Sequence, residues 1–375
     1  EMCIRDSFET WPVLGEKKGD TTKFFEVHSR GLSTARDAWS YSPATGQLVE
    51  NIGTHVANYR QAQELFRSGG FEESKRGVDA LFAQHPELVD SMQGSWNRSL
   101  KQELARGTEI TVDTDRVYTS LYRPFFKQRS YFAKELNDMV YQVPSMFPTQ
   151  HHRNIGIETS GASSPSGWSV LASNVMPDVQ LLGNGQFFPR FTWEPVDAED
   201  GGLFGEGASI SEGESSMYGQ VGEVVAGYVR KDNITDEIKA LYREDLGADV
   251  TGDDIFHFVY GKLHDPNYRE AYASDLKKML PHIETPTRFD QLAAAGRELM
   301  DLHVNYEDVE PWPVTVDVKA SADENDRETW RVQKMKWATK KDPSTGKNVN
   351  DVTALVYNKS VTCLLYTSLM ARGRR

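Results

Sequence analysis

Apolar residues recur at helical spacing in two separate stretches of the chain. In the first, over 58–106, Val78, Leu81 and Phe82 share one face of a segment that Pro86 closes. Trp96, Leu100 and Leu104 then mark one face of the next helix. In the second stretch, over 235–303, Ile255, Val259 and Leu263 share a face. Tyr268, Tyr272, Leu276 and Leu280 repeat every four residues, and Leu292, Leu299 and Leu302 mark a third helix. Between the two, helical spacing gives way to short β-rich runs such as Glu109-Ile110-Thr111-Val112, Asn154-Ile155-Gly156-Ile157-Glu158 and Gly167-Trp168-Ser169-Val170-Leu171. Gly, Pro, Ser and Asn punctuate these runs. The pattern predicts a mixed α+β fold in which helical segments flank a β-rich unit.

Finer divisions follow. Residues 8–41 read as irregular, with a strand-like piece Lys23-Phe24-Phe25-Glu26-Val27, and 8–106 as a whole read as a helical connector. A second region, 107–362, divides into a β-rich part (107–193), an acidic Gly- and Ser-rich loop (194–219), a helical part (235–303) and C-terminal strands (330–358). Residues 330–337 alternate like a strand and 354–357 are placed to pair with it, across the loop Asp342-Pro343-Ser344-Thr345-Gly346-Lys347. The ends have another character. Met2-Cys3-Ile4-Arg5-Asp6-Ser7 and Cys363-Leu364-Leu365-Tyr366-Thr367-Ser368 are translations of one nucleotide string and of its reverse complement, as a sequencing-library adapter in an open frame would give. Residues 1–7 and 363–375 are therefore expected to be adapter-derived and are set aside from fold reasoning.

Composition narrows the class. A chain of 375 residues, 38% hydrophobic and 26% charged, has ample material for a packed core and fits a globular rather than a disordered protein. No apolar run approaches the roughly 20 residues that cross a bilayer, so no membrane partner is expected. Both cysteines, Cys3 and Cys363, lie in the end segments, which leaves no disulfide or cysteine-ligated metal to expect and suits a cytoplasmic protein. The net charge of −13 opposes simple phosphate binding. The acids cluster, however, in Asp197-Ala198-Glu199-Asp200 with Glu206, Glu212 and Glu214, and again in Asp323-Glu324-Asn325-Asp326. Arg123, Lys127 and Arg129, followed by His151-His152-Arg153, make a locally basic stretch.

Catalytic motifs are mostly missing. Neither a Gly-rich cofactor turn after a strand nor the Asn/Asp-Pro-Pro-Tyr/Phe loop of an amino-methyltransferase occurs. Ser344-Thr345-Gly346-Lys347 lacks the upstream glycine of a phosphate loop and reads as a hairpin turn. Ser160-Gly161-Ala162-Ser163-Ser164 is not a nucleophile elbow. His257 and His264 have no glutamate in a zinc-binding arrangement, and adjacent His151 and His152 point apart. The chain itself is expected to catalyse nothing.

Four stretches together carry a family pattern. They are Ser29-Arg30-Gly31-Leu32-Ser33-Thr34-Ala35-Arg36-Asp37-Ala38-Trp39; Tyr122-Arg123-Pro124-Phe125 with Arg129-Ser130-Tyr131-Phe132; Asp254 through His264 with Pro266, Tyr268, Arg269, Tyr272, Asp275 and Leu276; and Ala295-Gly296-Arg297-Glu298-Leu299 with Asp301-Leu302-His303. In order and spacing, from about Trp11 to Tyr357, they resemble the C-terminal region of the single-polypeptide Type I (Type ISP) restriction–modification enzymes. The resemblance implies a parent with a nuclease, a helicase-like ATPase, an adenine-N6 methyltransferase and a target recognition domain. The parent would use S-adenosylmethionine, ATP and magnesium, none of them bound by this fragment. On that reading 8–106 includes the methyltransferase tail and 107–362 is the recognition domain. The partners would be double-stranded DNA and the upstream domains of the same polypeptide. One departure is Ala35, where the family usually has asparagine; Arg36, Asp37 and Trp39 remain, with Arg36 and Asp37 read as a structural ion pair.

Residue chemistry then selects candidates. Arginine is the favoured reader of guanine, asparagine and glutamine of adenine, and Lys, Arg and backbone amides hold phosphates. Arg123, Lys127, Arg129, His151 and Arg153 are the expected DNA-binding residues, with Gln128, Gln150, His152 and Asn154 beside them. The aromatics of this unit could stack on or wedge beside bases, but Tyr122, Phe125, Tyr131 and Phe132 are read as core residues. The helical stretch over 254–303 is expected to be scaffold. The rival reading is an acidic protein-interaction or structural module.

Overall fold

The structure, a computed structural model, describes residues 8–16, 22–161, 164, 167–196, 215–284, 287–311, 313–332 and 335–365. It is mixed α+β and falls into two compact units, Glu1–Tyr306 and Glu307–Arg375. Among the described residues no helix is long and apolar enough to cross a membrane.

The first unit opens with irregular chain that is nonetheless tightly held. Phe24 and Phe25 are fully buried, and isolated bridges tie Val13 to Lys23 and Phe25 to Ile234. Helix α1 (Asp37–Ser40) and strand β1 (Tyr41–Ser42) lead into α2 (Thr45–Ser68). Helices α3 (Lys75–Gln84) and α4 (Arg98–Arg106) follow, each started by a side-chain cap, from Ser74 and Asn97. Val78, Leu81 and Phe82 of α3 and Leu100 and Leu104 of α4 bury against Leu48, Ile52, Val56 and Tyr59 of α2, as their spacing predicts. The run over 109–112 does not become a strand. The side chains of Tyr59 and Gln63 on α2 donate to the Thr108 carbonyl, and Arg60 donates to the Ile110 carbonyl, so the backbone finds partners without a neighbouring strand.

The β-rich region carries β2 (Val117–Arg123), β3 (Phe126–Tyr131), a short helix α5 (Val143–Met146), β4 (Gly156–Thr159), β5 (Val170–Ser173), β6 (Met176–Pro177), β7 (Gln186–Pro189), β8 (Phe191–Pro195), β9 (Val224–Val225) and β10 (Tyr228–Asp232). They make three small sheets, ordered β1-β3-β2-β6, β5-β4-β7 and β8-β10-β9. The acidic cluster from Asp197 through Glu214 lies outside the described residues.

Helices α6 (Asp236–Leu246), α7 (Gly252–His264), α8 (Pro266–Ala271) and α9 (Phe289–Val304) complete the unit. Helix α7 is its axis. Phe256, Phe258 and Tyr260 are buried together with the predicted Ile255, Val259 and Leu263, so the helix is enclosed on all sides. It meets α9 through two glycines: a Cβ on Gly261 would lie 2.1 Å from the Leu292 carbonyl oxygen, and one on Gly296 would lie 2.0 Å from that of His257. Two predictions shift here. The period-four run from Tyr268 stops being helical after Ala271, because Tyr272 turns to stack on Phe8, with ring centroids 4.6 Å apart. On α9 the buried face is Phe289, Gly296, Met300 and Val304, which leaves Leu302 exposed.

The second unit is an antiparallel sheet ordered β11-β14-β13-β12, from β11 (Thr315–Val318), β12 (Lys336–Lys341), β13 (Asn348–Val356) and β14 (Val361–Leu364). The strand expected over 330–337 begins only at Lys336, since Arg327–Trp330 winds into a 3-10 turn. The expected pairing with 354–357 is present in part, as Lys336 opposite Val356 and Trp337 opposite Leu355. Residues 342–347 form the hairpin turn. The amides of Ser344 and Thr345 donate to Asp342 Oδ1, and Gly346 takes a left-handed φ of 66°. Cys363, assigned to an end segment by sequence, is buried in β14.

Candidate functional site

The predicted basic residues fall on or beside the β2–β3 hairpin. Its turn is two residues long, Pro124 and Phe125, because Arg123 pairs with Phe126. Proline suits the first position; the second needs a positive φ, and Phe125 adopts 56° where glycine would be usual. Across the hairpin Thr119 faces Arg129 and Leu121 faces Lys127, so Lys127 and Arg129 share one face, and Phe126 and Gln128 the other.

These residues have different surroundings. Arg129 is exposed and donates to Thr119 Oγ1 directly across the strands. Lys127 is half-buried with its ammonium 5.0 Å over the Tyr306 ring. Arg123 is committed internally. Its Nη1 donates to Asp178 Oδ1 at 2.8 Å, its guanidinium lies 3.9 Å over the Tyr122 ring, and its Nη2 is 3.7 Å from Asp37 Oδ2. Tyr41 donates to the other oxygen of Asp178, and Tyr122 donates to Asp37. Burial raises the Asp178 carboxyl above its ordinary range, against hydrogen bonds from the Gln180 amide and Tyr41 and the charge of Arg123. Burial likewise raises the Tyr41 and Tyr122 hydroxyls.

His151 and Arg153 sit at the other end of the hairpin. Neighbouring Gln150 donates to Asp115, just before β2 begins. The six residue steps of β2 separate that end from the turn by roughly 20 Å. The intervening residues alternate: His151 and Arg153 are exposed, whereas His152 and Asn154 are buried. His152 Nε2 bonds the Val225 carbonyl oxygen, its ring meets Trp193 edge-on, and Asn154 donates to the Met146 and Phe191 carbonyls. The structure therefore places Arg129, His151 and Arg153 exposed, Lys127 half-buried beside Tyr306, and Arg123 half-buried with its guanidinium bonded to Asp178.

In the Arg36–Asp37–Trp39 motif Arg36 is buried and Asp37 and Trp39 are half-buried, and the expected ion pair between Arg36 and Asp37 is not formed. Arg36 is 4% exposed and its Nη1 lies 3.3 Å from His55 Nε2, while Asp37 turns to Thr34, Tyr122 and Arg123. Burial lowers the Arg36 pKa to about 10; burial and the Arg36 charge bring that of His55 to about 4, and the Trp39 ring lies against His55. Position 35 has a φ of 52°, a left-handed conformation that asparagine tolerates better than alanine.

Of the aromatics expected in the core, Tyr131 and Phe132 are buried and Tyr122 is half-buried, but Phe125 is 47% exposed. Sequence reasoning missed several buried ionisable groups, among them Arg190 and Glu158. Arg190 is fully buried between β7 and β8, paired with Asp232 and with Asp253, and Asp253 also receives Ser216 and the Met217 amide. A single arginine inside the apolar run from Phe187 to Trp193 was the available signal. Glu158 on β4 is fully buried with neither carboxyl oxygen hydrogen-bonded, and burial raises its pKa well above the usual range.

A family model described as the Type ISP C-terminal specificity domain matches residues 23–363, which sets the class as a specificity domain. Solved structures agree. A nuclease-deletion mutant of the Type ISP restriction–modification enzyme LlaGI, in complex with a DNA substrate mimic, is 26% identical with a TM-score of 0.69, over 96% of this chain and 28% of that one. The ATP-dependent Type ISP enzyme LlaBIII bound to DNA is 25% identical with a TM-score of 0.67, over 96% of this chain and 20% of that one. The DrdV–DNA complex, at 24% identity and a TM-score of 0.69 over 94% of this chain and 31% of that one, shares the fold. The chain thus spans under a third of the length of each. No curated protein matches it. This chain belongs to the Type ISP C-terminal specificity domain family.

Proposed function

We propose that this chain recognises duplex DNA in a sequence-specific manner as part of a Type ISP restriction–modification enzyme. The observation that carries this reading is the family match over 23–363, supported by two similar structures solved with DNA. Arg129, Lys127, His151 and Arg153 are the side chains we assign to the DNA-facing surface. By the strand register Arg129 and Lys127 lie opposite Thr119 and Leu121, two and four residue steps from the Val117 end, or roughly 7 and 13 Å along the hairpin from the end nearest His151 and Arg153. Arg123 holds the hairpin in shape instead.

The rest of the enzyme belongs to the same proposal. The parent would be an adenine-N6 methyltransferase with an ATP-dependent translocase and a nuclease, acting in the cytoplasm, with 8–106 leading from the methyltransferase. S-adenosylmethionine, ATP and magnesium would be held by those other domains. The sequence here carries no Gly-rich cofactor turn, and among the described residues no group of three His, Cys, Asp or Glu side chains is placed to hold a metal.

The test is selection from a pool of duplexes with a randomised centre, using the chain itself. Enrichment of one sequence motif is expected. A pool that stays random after repeated selection overturns the reading.

A further inference from the structure

The tip of the β2–β3 hairpin presents two adjacent exposed aromatics. Phe125 is 47% and Phe126 50% exposed, whereas every other phenylalanine among the described residues is buried or half-buried. The two differ in how they are held. Phe125 occupies a left-handed backbone conformation that bulky side chains rarely enter, and its ring meets His303 and Tyr306 edge-on at 5.6 and 5.3 Å. A strained turn fixed by its neighbours is a pre-set geometry. Phe126 is half exposed, and among the described residues its one aromatic ring contact is Tyr122, 6.4 Å away between centroids. Behind it the hairpin is stiff, because Arg123, directly opposite, is bonded to Asp178 and stacked on Tyr122.

Around this ring the polar groups are of the kind that meets nucleic acid. Gln128 shares its face, and Lys127 and Arg129 lie on the other face within three residues of the tip. An apolar ring on a rigid arm, backed by cations, has the makeup of a side chain that enters between stacked bases while its neighbours hold the phosphates. We propose that Phe126 is a wedge that inserts at one base step of the bound duplex. The proposal rests on the reading above that the chain recognises DNA.

The experiment uses the duplex motif selected by the wild-type chain, with 2-aminopurine placed at successive positions. The wild type should raise its fluorescence at one step, where stacking is broken. Phe126→Ala should lose that rise and bind roughly 5- to 100-fold more weakly, the range of a lost base–aromatic stack. Phe126→Tyr should keep both. The melting temperature of Phe126→Ala should stay within about 2 °C of wild type, as expected for an exposed side chain away from a structural feature. A rise that survives in Phe126→Ala, or none at any position with the wild type, overturns the wedge while leaving recognition intact. The first of these would assign the ring to a protein surface. Failure to select any motif would show in the wild type alone and overturn recognition and wedge together.

Discussion

Replacing Arg123 with alanine should destabilise the fold rather than relax base preference. The substitution removes three contacts of unequal weight. The hydrogen bond to Asp178 is charge-assisted and ends on a carboxylate only 2% exposed, so its loss costs about 1.5–3 kcal/mol. The stack on Tyr122 at 3.9 Å adds about 0.5–1 kcal/mol. The pair with Asp37 at 3.7 Å joins groups 38% and 40% exposed and adds about 0–1 kcal/mol. Because Arg123 is itself partly solvated, we expect about 2–4 kcal/mol in total. For a unit of this size that lowers the melting temperature by about 3–6 °C. Asp178→Asn in the same chain should recover part of the loss, since the buried amide no longer needs a cation. Urea and thermal denaturation of the two variants measure both effects. If Arg123→Ala melts with the wild type and loses discrimination at one base pair, Arg123 is a base reader and the internal assignment is wrong.

The remaining predictions concern strain, buried charge and phosphate contact. Ala35→Asn should stabilise by about 0.5–1 kcal/mol, because the exposed position 35 is left-handed; an unchanged or lower urea midpoint contradicts this. Glu158→Gln should change how stability depends on pH. Burial raises the Glu158 carboxyl, so the folded wild type keeps a proton that the unfolded chain releases above its ordinary value of about 4.3. Wild-type stability from this group is therefore full in acid and falls as pH rises through that window, by up to about 1.4 kcal/mol per unit. The stability of Glu158→Gln relative to wild type should grow as pH rises above the unfolded carboxyl's range, and a constant difference would show that Glu158 is ionised in the fold. Arg129→Ala and Arg153→Ala should each weaken binding to all duplexes alike and flatten the salt slope by about one unit; a variant that instead changes preference at one base pair is a reader.

What the sequence revealed depended on how local the determining contacts were. Helices α3 and α7 were legible because their apolar spacing is a property of one segment, although the three-residue stripe on α7 understated a helix buried all round. The turn over 342–347 was legible from its own Asp, Ser and Gly. The run over 109–112 misled, since the Ile110 carbonyl is taken by Arg60 and the Thr108 carbonyl just before the run by Tyr59 and Gln63, some fifty residues earlier. Arg123 could be ranked with Arg129 only because nothing nearby marks Asp178, 55 residues on, as its partner. The alternation of His151 and Arg153 outward with His152 and Asn154 inward was in the sequence but shows only once Trp193 and Phe191 are in place. The exposed Phe125 broke the rule that aromatics go inside.

The most direct measurement is the affinity of the chain for its selected duplex as salt is raised. Phosphate contacts release counterions, and each gives a slope of about −0.9 in log affinity against log salt. With Lys127, Arg129 and Arg153 as the cationic contacts, the account predicts a slope of about −3. A slope near zero, or no binding even at low salt, would contradict DNA recognition and favour a protein-interaction module, the role its net charge of −13 would suit.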